Sequence, residues 1–212
     1  MSVNIKADLE ELLRGFKWNI KGFIDTEGKL YPVPEIPQVI TGLFEAMIIP
    51  RITEPIQRKY NCEIVLGKPR EYPQLTLFGG KIGENKIAID IKSARKLSGT
   101  RISRMSLGSY AGYFRYPDRK LPGCVFPYGD YKEHWIIGIL YKWQPGKPSE
   151  ELVSDVEIII HEKWRIASKK TATGDTAAIG SINDLDMLRA GQGDFNSERE
   201  FETFWRSRPV KR

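Results

Sequence analysis

A chain of 212 residues is long enough to bury one substantial core and short for two, so a single domain over residues 1 to 212 is expected. Hydrophobic residues make up 41% and charged residues 28%, the balance of a soluble globular protein, which excludes a disordered chain. A net charge of +6 suits a polyanionic partner, and the longest apolar run, Trp135 to Tyr141, is far too short to span a bilayer.

In chain order, Leu9, Leu12, Leu13 and Phe16 recur at helical spacing and predict a short amphipathic helix over 7 to 16, ended near Gly15. Glu27-Gly28 reads as a tight turn between two short strands. Pro37 suits a helix first turn, with Val39, Ile40, Leu43, Phe44 and Met47 as the buried stripe and Glu45 beside it. Pro50 and Pro55 predict a kink or interruption before Tyr60. Residues 63 to 66, 75 to 78 and 86 to 92 read as strands, and the last alternates: Ile87, Ile89 and Ile91 on one face, Ala88, Asp90 and Lys92 on the other. Two apolar segments, 134 to 143 and 155 to 168, predict long central strands, the first alternatively a buried helix turning into a strand. Residues 169 to 181 have no core-forming pattern and read as a loop. A final helix over 197 to 207 follows from the capping-box spacing of Ser197 and Glu200 and the stripe Phe201, Phe204 and Trp205.

Acids and bases are mixed from Lys6 onward with no signal-peptide core, so a cytoplasmic location is expected. Cys62 and Cys124 form no CxxC and stand at no ligand spacing to a histidine, which supports neither a disulfide framework nor a zinc site. His134 and His161 border apolar strands and read as packed or surface residues. Bases cluster after Lys92 (Arg95, Lys96, Arg101, Arg104), around 163 to 170, and at Arg206, Arg208, Lys211 and Arg212; each cluster is either a solvated face or a polyanion contact.

The chemistry centres on Asp90-Ile91-Lys92. Asp118-Arg119-Lys120 and Asp130-Tyr131-Lys132 match the same D-x-K tripeptide, but in loops containing proline and glycine. Only residues 90 to 92 lie on an alternating strand preceded by a strand that opens with Tyr72-Pro73, the context of a PD-(D/E)xK nuclease. Phosphodiester hydrolysis needs a hard divalent cation to polarise the phosphoryl group and acidify water; carboxylates on adjacent strands hold it, and a lysine positions water or steadies developing charge. The competing reading is a surface salt bridge on an edge strand.

The chain resembles the EcoRV-type restriction endonucleases over nearly its whole length. EGKLYPVP at 27, LFEAMIIPRI at 43, YPQLTLF at 72, KIAIDIK at 86 and LGSYAGYFR at 107 carry the likeness, as do FPYGDYKEHWIIGILY at 126, EKWRIASKKTATGDTAAIGSI at 162 and FNSEREFETFWR at 195. The resemblance implies an α/β restriction-endonuclease-like fold, a mixed sheet flanked by helices, with a homodimer forming the cleft for double-stranded DNA. It implies Mg²⁺-dependent cleavage of both strands at a short palindrome, with Mn²⁺ as a substitute ion, 5′-phosphate products and a cognate DNA methyltransferase.

Carried over by position, Asp90 falls on a metal-binding acid, Lys92 on the active-site lysine and Glu45 on a further acid near the metal. Gln74 falls where the family has a second metal-binding aspartate; an amide oxygen can ligate a hard cation but brings no charge. Ala172, Thr173, Gly174, Asp175 and Thr176 fall on the major-groove recognition loop. Ala172 and Asp175 replace a glycine and an asparagine, and an aspartate that only accepts suits the cytosine amino group where asparagine would pair with adenine. Lys68 and Arg70 fall on a minor-groove loop, Thr41 and Arg95 near backbone-contacting positions, and Arg115 just beyond LGSYAGY. The rival reading is a DNA-binding protein of the same fold that no longer cleaves; a structure-specific repair nuclease has little use for such a loop.

Overall fold

The computed structural model describes residues 3 to 172 and 178 to 208; of Ser109, Tyr110 and Ala111 only the backbone is described. α1 (Ile5–Leu12) is capped by the Asn4 side chain, which accepts from Ala7 N, and it starts before residue 7 and ends before residue 16, earlier at both ends than its apolar spacing predicts. β1 (Phe23–Ile24) and β2 (Leu30–Tyr31) form a small antiparallel hairpin. α2 (Pro37–Tyr60) follows, then β3 (Glu63–Leu66), β4 (Leu75–Gly79) and β5 (Gly83–Arg95).

Of the kink or interruption expected in α2, the interruption does not occur. The helix runs 24 residues through Pro50 and Pro55. Each proline deprives the carbonyl four residues earlier of its donor, and those carbonyls belong to Ala46 and Arg51, both exposed residues where solvent can serve in its place. The buried stripe is Ile40, Phe44, Ile48, Ile52, Ile56 and Tyr60, while Val39, Leu43 and Met47 flank it half-buried.

β6 (Ser106–Tyr110) and α3 (Ala111–Arg115) intervene before β7 (Tyr131–Trp143), which is strand throughout and begins three residues before its prediction. Tyr131 and Lys132 therefore belong to a strand and not to a loop. The predicted single strand over 155 to 168 is also corrected: β8 (Val153–Glu162) ends in a helical turn, α4 (Lys163–Ile166), and the chain restarts as β9 (Ala167–Thr171). β10 (Ala178–Ser181) pairs antiparallel with β9, so the segment read as a loop is a hairpin. α5 (Leu185–Ala190) and α6 (Glu198–Ser207) close the chain. Ser197 caps α6 by accepting from Glu200 N, but the Glu200 carboxylate turns back to Asn196 instead of completing the box.

The main sheet has five strands in the order β3-β4-β5-β7-β8, antiparallel except for the parallel pair β5 and β7. One face, carrying Ile87, Ile89, Ile91, Ile137 and Ile139, packs on α2 and α1. The other, carrying Ala88, Ala94, Ile136 and Leu140, packs beneath the second sheet, β6-β10-β9, and beneath Phe114, Phe201 and Trp205. β5 is therefore an interior strand, which removes the edge-strand salt-bridge reading of Asp90 and Lys92.

Pro50 is exposed, so restoring an amide there relieves the helix without disturbing the core. Pro50→Ala is expected to raise the unfolding free energy by about 1–3 kcal/mol, measured by urea denaturation.

Candidate active site

β5 is long and β-branched on its α2 side because that face meets a helix; the opposite face places Asp90 and Lys92 under β6. Asp90 is only 3% exposed. Its Oδ1 accepts from the Gln74 backbone N at 3.1 Å and stands 3.4 Å from Lys92 Nζ. Oδ2 is buried with no hydrogen-bond partner among the described residues. Gly108 makes room for it: φ is 75° there, and a Cβ would stand 3.1 Å from Asp90 Oδ2 and 3.3 Å from the Tyr72 ring.

Gln74 immediately precedes β4, and the register Leu75↔Ile89 brings it beside Asp90 and Ile91. Its side-chain Oε1 accepts from Ile91 N at 2.5 Å, so the amide extends the β4–β5 ladder by one rung. Glu45, half-buried on α2, shares an open cleft of about 260 Å³ with Thr41, Lys92, Ser93, Ser106 and Gly108. Thr41 Oγ1 lies 2.9 Å from Ser93 Oγ and donates to Pro37 O. Glu45, Lys92 and Thr41 thus meet at one end of the sheet, where Asp90 and Gln74 stand just behind.

The other sequence-predicted contacts are dispersed. Lys68 and Arg70 lie in an exposed turn between β3 and β4, with Arg70 at φ 71°. Arg95 sits 4.9 Å from the Trp143 ring centre. Arg115 donates to the carbonyls of Arg206 and Arg208, so it caps the C-terminal end of α6, where a cation meets the negative helix pole. Ala172 N donates to Ala178 O at 2.9 Å at the head of the hairpin. Thr173, Gly174, Asp175 and Thr176 lie outside the described residues, as do Lys211 and Arg212.

Sequence reasoning missed Lys163. It opens α4 yet is 1% exposed, lies 3.7 Å from the centre of the Tyr72 ring and donates to Tyr72 Oη. Tyr72 Oη in turn meets His134 Nδ1 at 2.5 Å, and His134 stacks on Tyr128 at 4.4 Å. Burial pushes the Lys163 ammonium down to about 7, partly opposed by the Asp90 carboxylate and reinforced by Lys92. Burial, with Lys163 nearby, likewise holds His134 well below the usual imidazole range. The available signal was position: a lysine between an apolar strand and a hairpin, indistinguishable by composition from its exposed neighbours. Cys62 and Cys124 are both free and buried.

The sheet thus holds a buried aspartate and a lysine on an interior strand, with a helix carboxylate at the adjoining cleft. Residues 14–212 match the family described as restriction endonuclease EcoRV. Over 225 aligned residues, spanning 97% of this chain and 89% of the relative, it is 30% identical to the type II restriction enzyme EcoRV of Escherichia coli. The chain belongs to the EcoRV restriction endonuclease family.

A lysine with a folded value near 7 and an unfolded value near 10.5 binds more protons when unfolded across that interval, so its contribution to stability rises with pH there. Between pH 7 and 9 the native chain is expected to gain up to about 1.4 kcal/mol per pH unit from this group. Lys163→Met should lose that slope in urea titrations at several pH values.

Proposed function

We propose that this chain is a type II deoxyribonuclease, one domain over 1 to 212 acting as a homodimer, that cuts both strands of a short palindromic duplex and leaves 5′-phosphates. The observation that carries this reading is a cleft lined by Glu45 of α2 and Lys92 of β5, with Asp90 beside Lys92 and Gln74 beside Asp90 behind it.

The site suits a hard divalent cation. Asp90 keeps a buried oxygen that no described group satisfies, and Glu45 offers a second carboxylate at the cleft. No set of three His, Cys, Asp or Glu residues that could hold a metal occurs among the described residues. Mg²⁺, which keeps several waters and shares its shell with substrate phosphate, requires only one or two carboxylates. Asp90 and Glu45 would hold it, and Gln74 Oε1 keeps one lone pair after accepting from Ile91 N. When bound, Mg²⁺ or Mn²⁺ supplies charge neutralisation at the phosphoryl oxygens and a more acidic water. Lys92, one-fifth exposed toward the cleft, holds its ammonium beside Asp90 and is placed to orient that water or offset charge on the phosphate.

DNA contacts are assigned to Ala172, Thr173, Gly174, Asp175 and Thr176 in the major groove, Lys68 and Arg70 in the minor groove, and Thr41, Arg95 and Arg115 toward the backbone. Asp175 directs that loop toward a cytosine amino group. Pairing with a methyltransferase of the same site, and a cytoplasmic location, belong to this reading; no helix among the described residues is long and apolar enough to cross a membrane.

One observation favours a second reading, a DNA-binding protein that no longer cleaves: the amide at position 74 carries no charge and is already engaged to the backbone. Digestion of a mixed-sequence plasmid with Mg²⁺ or Mn²⁺ separates the two. Discrete fragments are expected from the native chain, with Gln74→Asp faster by about tenfold or more, about 1.4 kcal/mol of barrier. Fragments from Gln74→Asp alone identify a disabled enzyme, and site-specific binding without cleavage by either chain identifies the binding protein.

The dimer has its own support. Phe23, Ile24, Leu30 and Tyr31 on the β1–β2 hairpin, with Ile36 after it, are all large, apolar and exposed, Ile24 by 72%. Sedimentation velocity at micromolar concentration is expected to give the dimer mass for the native chain and the monomer mass for Ile24→Lys with Leu30→Lys. A native monomer removes the symmetric-cleft reading.

A further inference from the structure

The β9–β10 ladder is irregular. Ile179 pairs with Thr171, but the next pair is Ser181 with Ala167, so two residues on β10 oppose four on β9. The offset residues of β9 are tied elsewhere: Ser168 Oγ and Lys169 N both donate to the Asp194 carboxylate, and Lys169 O accepts from Arg208 Nη1 at 3.0 Å. The base of β10 is fixed from the opposite side, where Ser181 N donates to Met105 O and Met105 N donates to Ser181 Oγ.

One side chain spans the gap. Arg104, between β5 and β6, donates from Nε to Ser181 O at 3.0 Å and from Nη1 to Thr171 O at 3.4 Å. Its aliphatic stem lies so close to β10 that a Cβ on Gly180 would stand 2.5 Å from Arg104 Cδ. A planar guanidinium can reach two carbonyls on different strands, whereas a lysine ammonium is a single point charge. Arg104 therefore adds a side-chain connection between the two strands across the irregular stretch of the ladder.

We propose that Arg104 is a positioning residue for sequence discrimination, bracing the two strands that carry residues 173 to 177 without itself reading DNA. The inference rests on the hairpin being the recognition element. Its consequence is specific: loosening the brace costs the hairpin its register, which harms binding to the right duplex far more than binding to any duplex.

The test uses the intact chain without divalent ions. Binding is measured by fluorescence anisotropy over a range of salt, on a duplex selected by the native chain from a random pool and on a scrambled duplex. Arg104→Met is expected to lower the ratio of specific to scrambled affinity by about tenfold or more, with scrambled affinity within about threefold and the salt slope unchanged. Arg104→Lys is expected to lose the ratio as well, and it carries the test if the methionine variant does not fold. A parallel fall in both affinities, with a salt slope smaller by about one and rescue by lysine, would make Arg104 a phosphate contact and overturn the inference. Native selection of a sequence with undiminished discrimination by both variants overturns this inference alone. A native chain that selects no duplex overturns the recognition reading and this inference with it.

Discussion

The parallel pairing of β5 with β7, in register from Ile87↔Glu133 to Arg95↔Tyr141, is the constraint on which the rest of the architecture depends. Parallel neighbours cannot be joined by a tight turn, so the chain between them must return over a face of the sheet. Residues 96 to 130 make that return and form β6 and α3 on the way. The crossing lays Gly108 against Asp90 and pairs β6 with β10, so one element touches both the carboxylate and the hairpin. β5 and the β9–β10 hairpin thereby meet through β6, which is hydrogen-bonded to β10 and packed against Asp90.

Burying β5 on both faces has an electrostatic consequence. Asp90 and Lys163 are each nearly inaccessible to water, where an isolated charge is costly and a compensated one interacts strongly. Lys163 is steadied by the face and hydroxyl of Tyr72, and Asp90 by Lys92 and the Gln74 amide. One oxygen of Asp90 has no hydrogen-bond partner among the described residues, unlike a finished salt bridge. Gln74 contributes to this balance through the backbone, since its side-chain amide oxygen accepts from Ile91 N and closes a rung of the sheet.

Much of the fold was legible locally. Alternation located β5, the Pro37 start located α2, and the Ser197 spacing located α6, because each signal lies within a turn or two of the element it specifies. The failures share a cause. Proline propensity argues for a break in α2, but Ile52, Ile56 and Tyr60 bury in the core beyond Pro50, and that tertiary packing outweighs two lost hydrogen bonds at exposed residues. The polar run after Ser168 carries no strand pattern, yet β9 and β10 form because Asp194, Arg208 and Met105 tie them down from distant parts of the chain.

By itself the sequence determined the family, the α/β class and the acid and lysine of the central strand, since these rest on residue identity and on periods of two and 3.6 that the backbone imposes everywhere. Only the tertiary structure decided that Asp90 is interior, that Lys163 and Tyr72 stand behind it, that Arg115 caps a helix, and that Arg104 reaches across the hairpin. An exposed arginine and one spent on two carbonyls are identical in sequence. What separates them is the long-range pairing of strands, which no local pattern encodes.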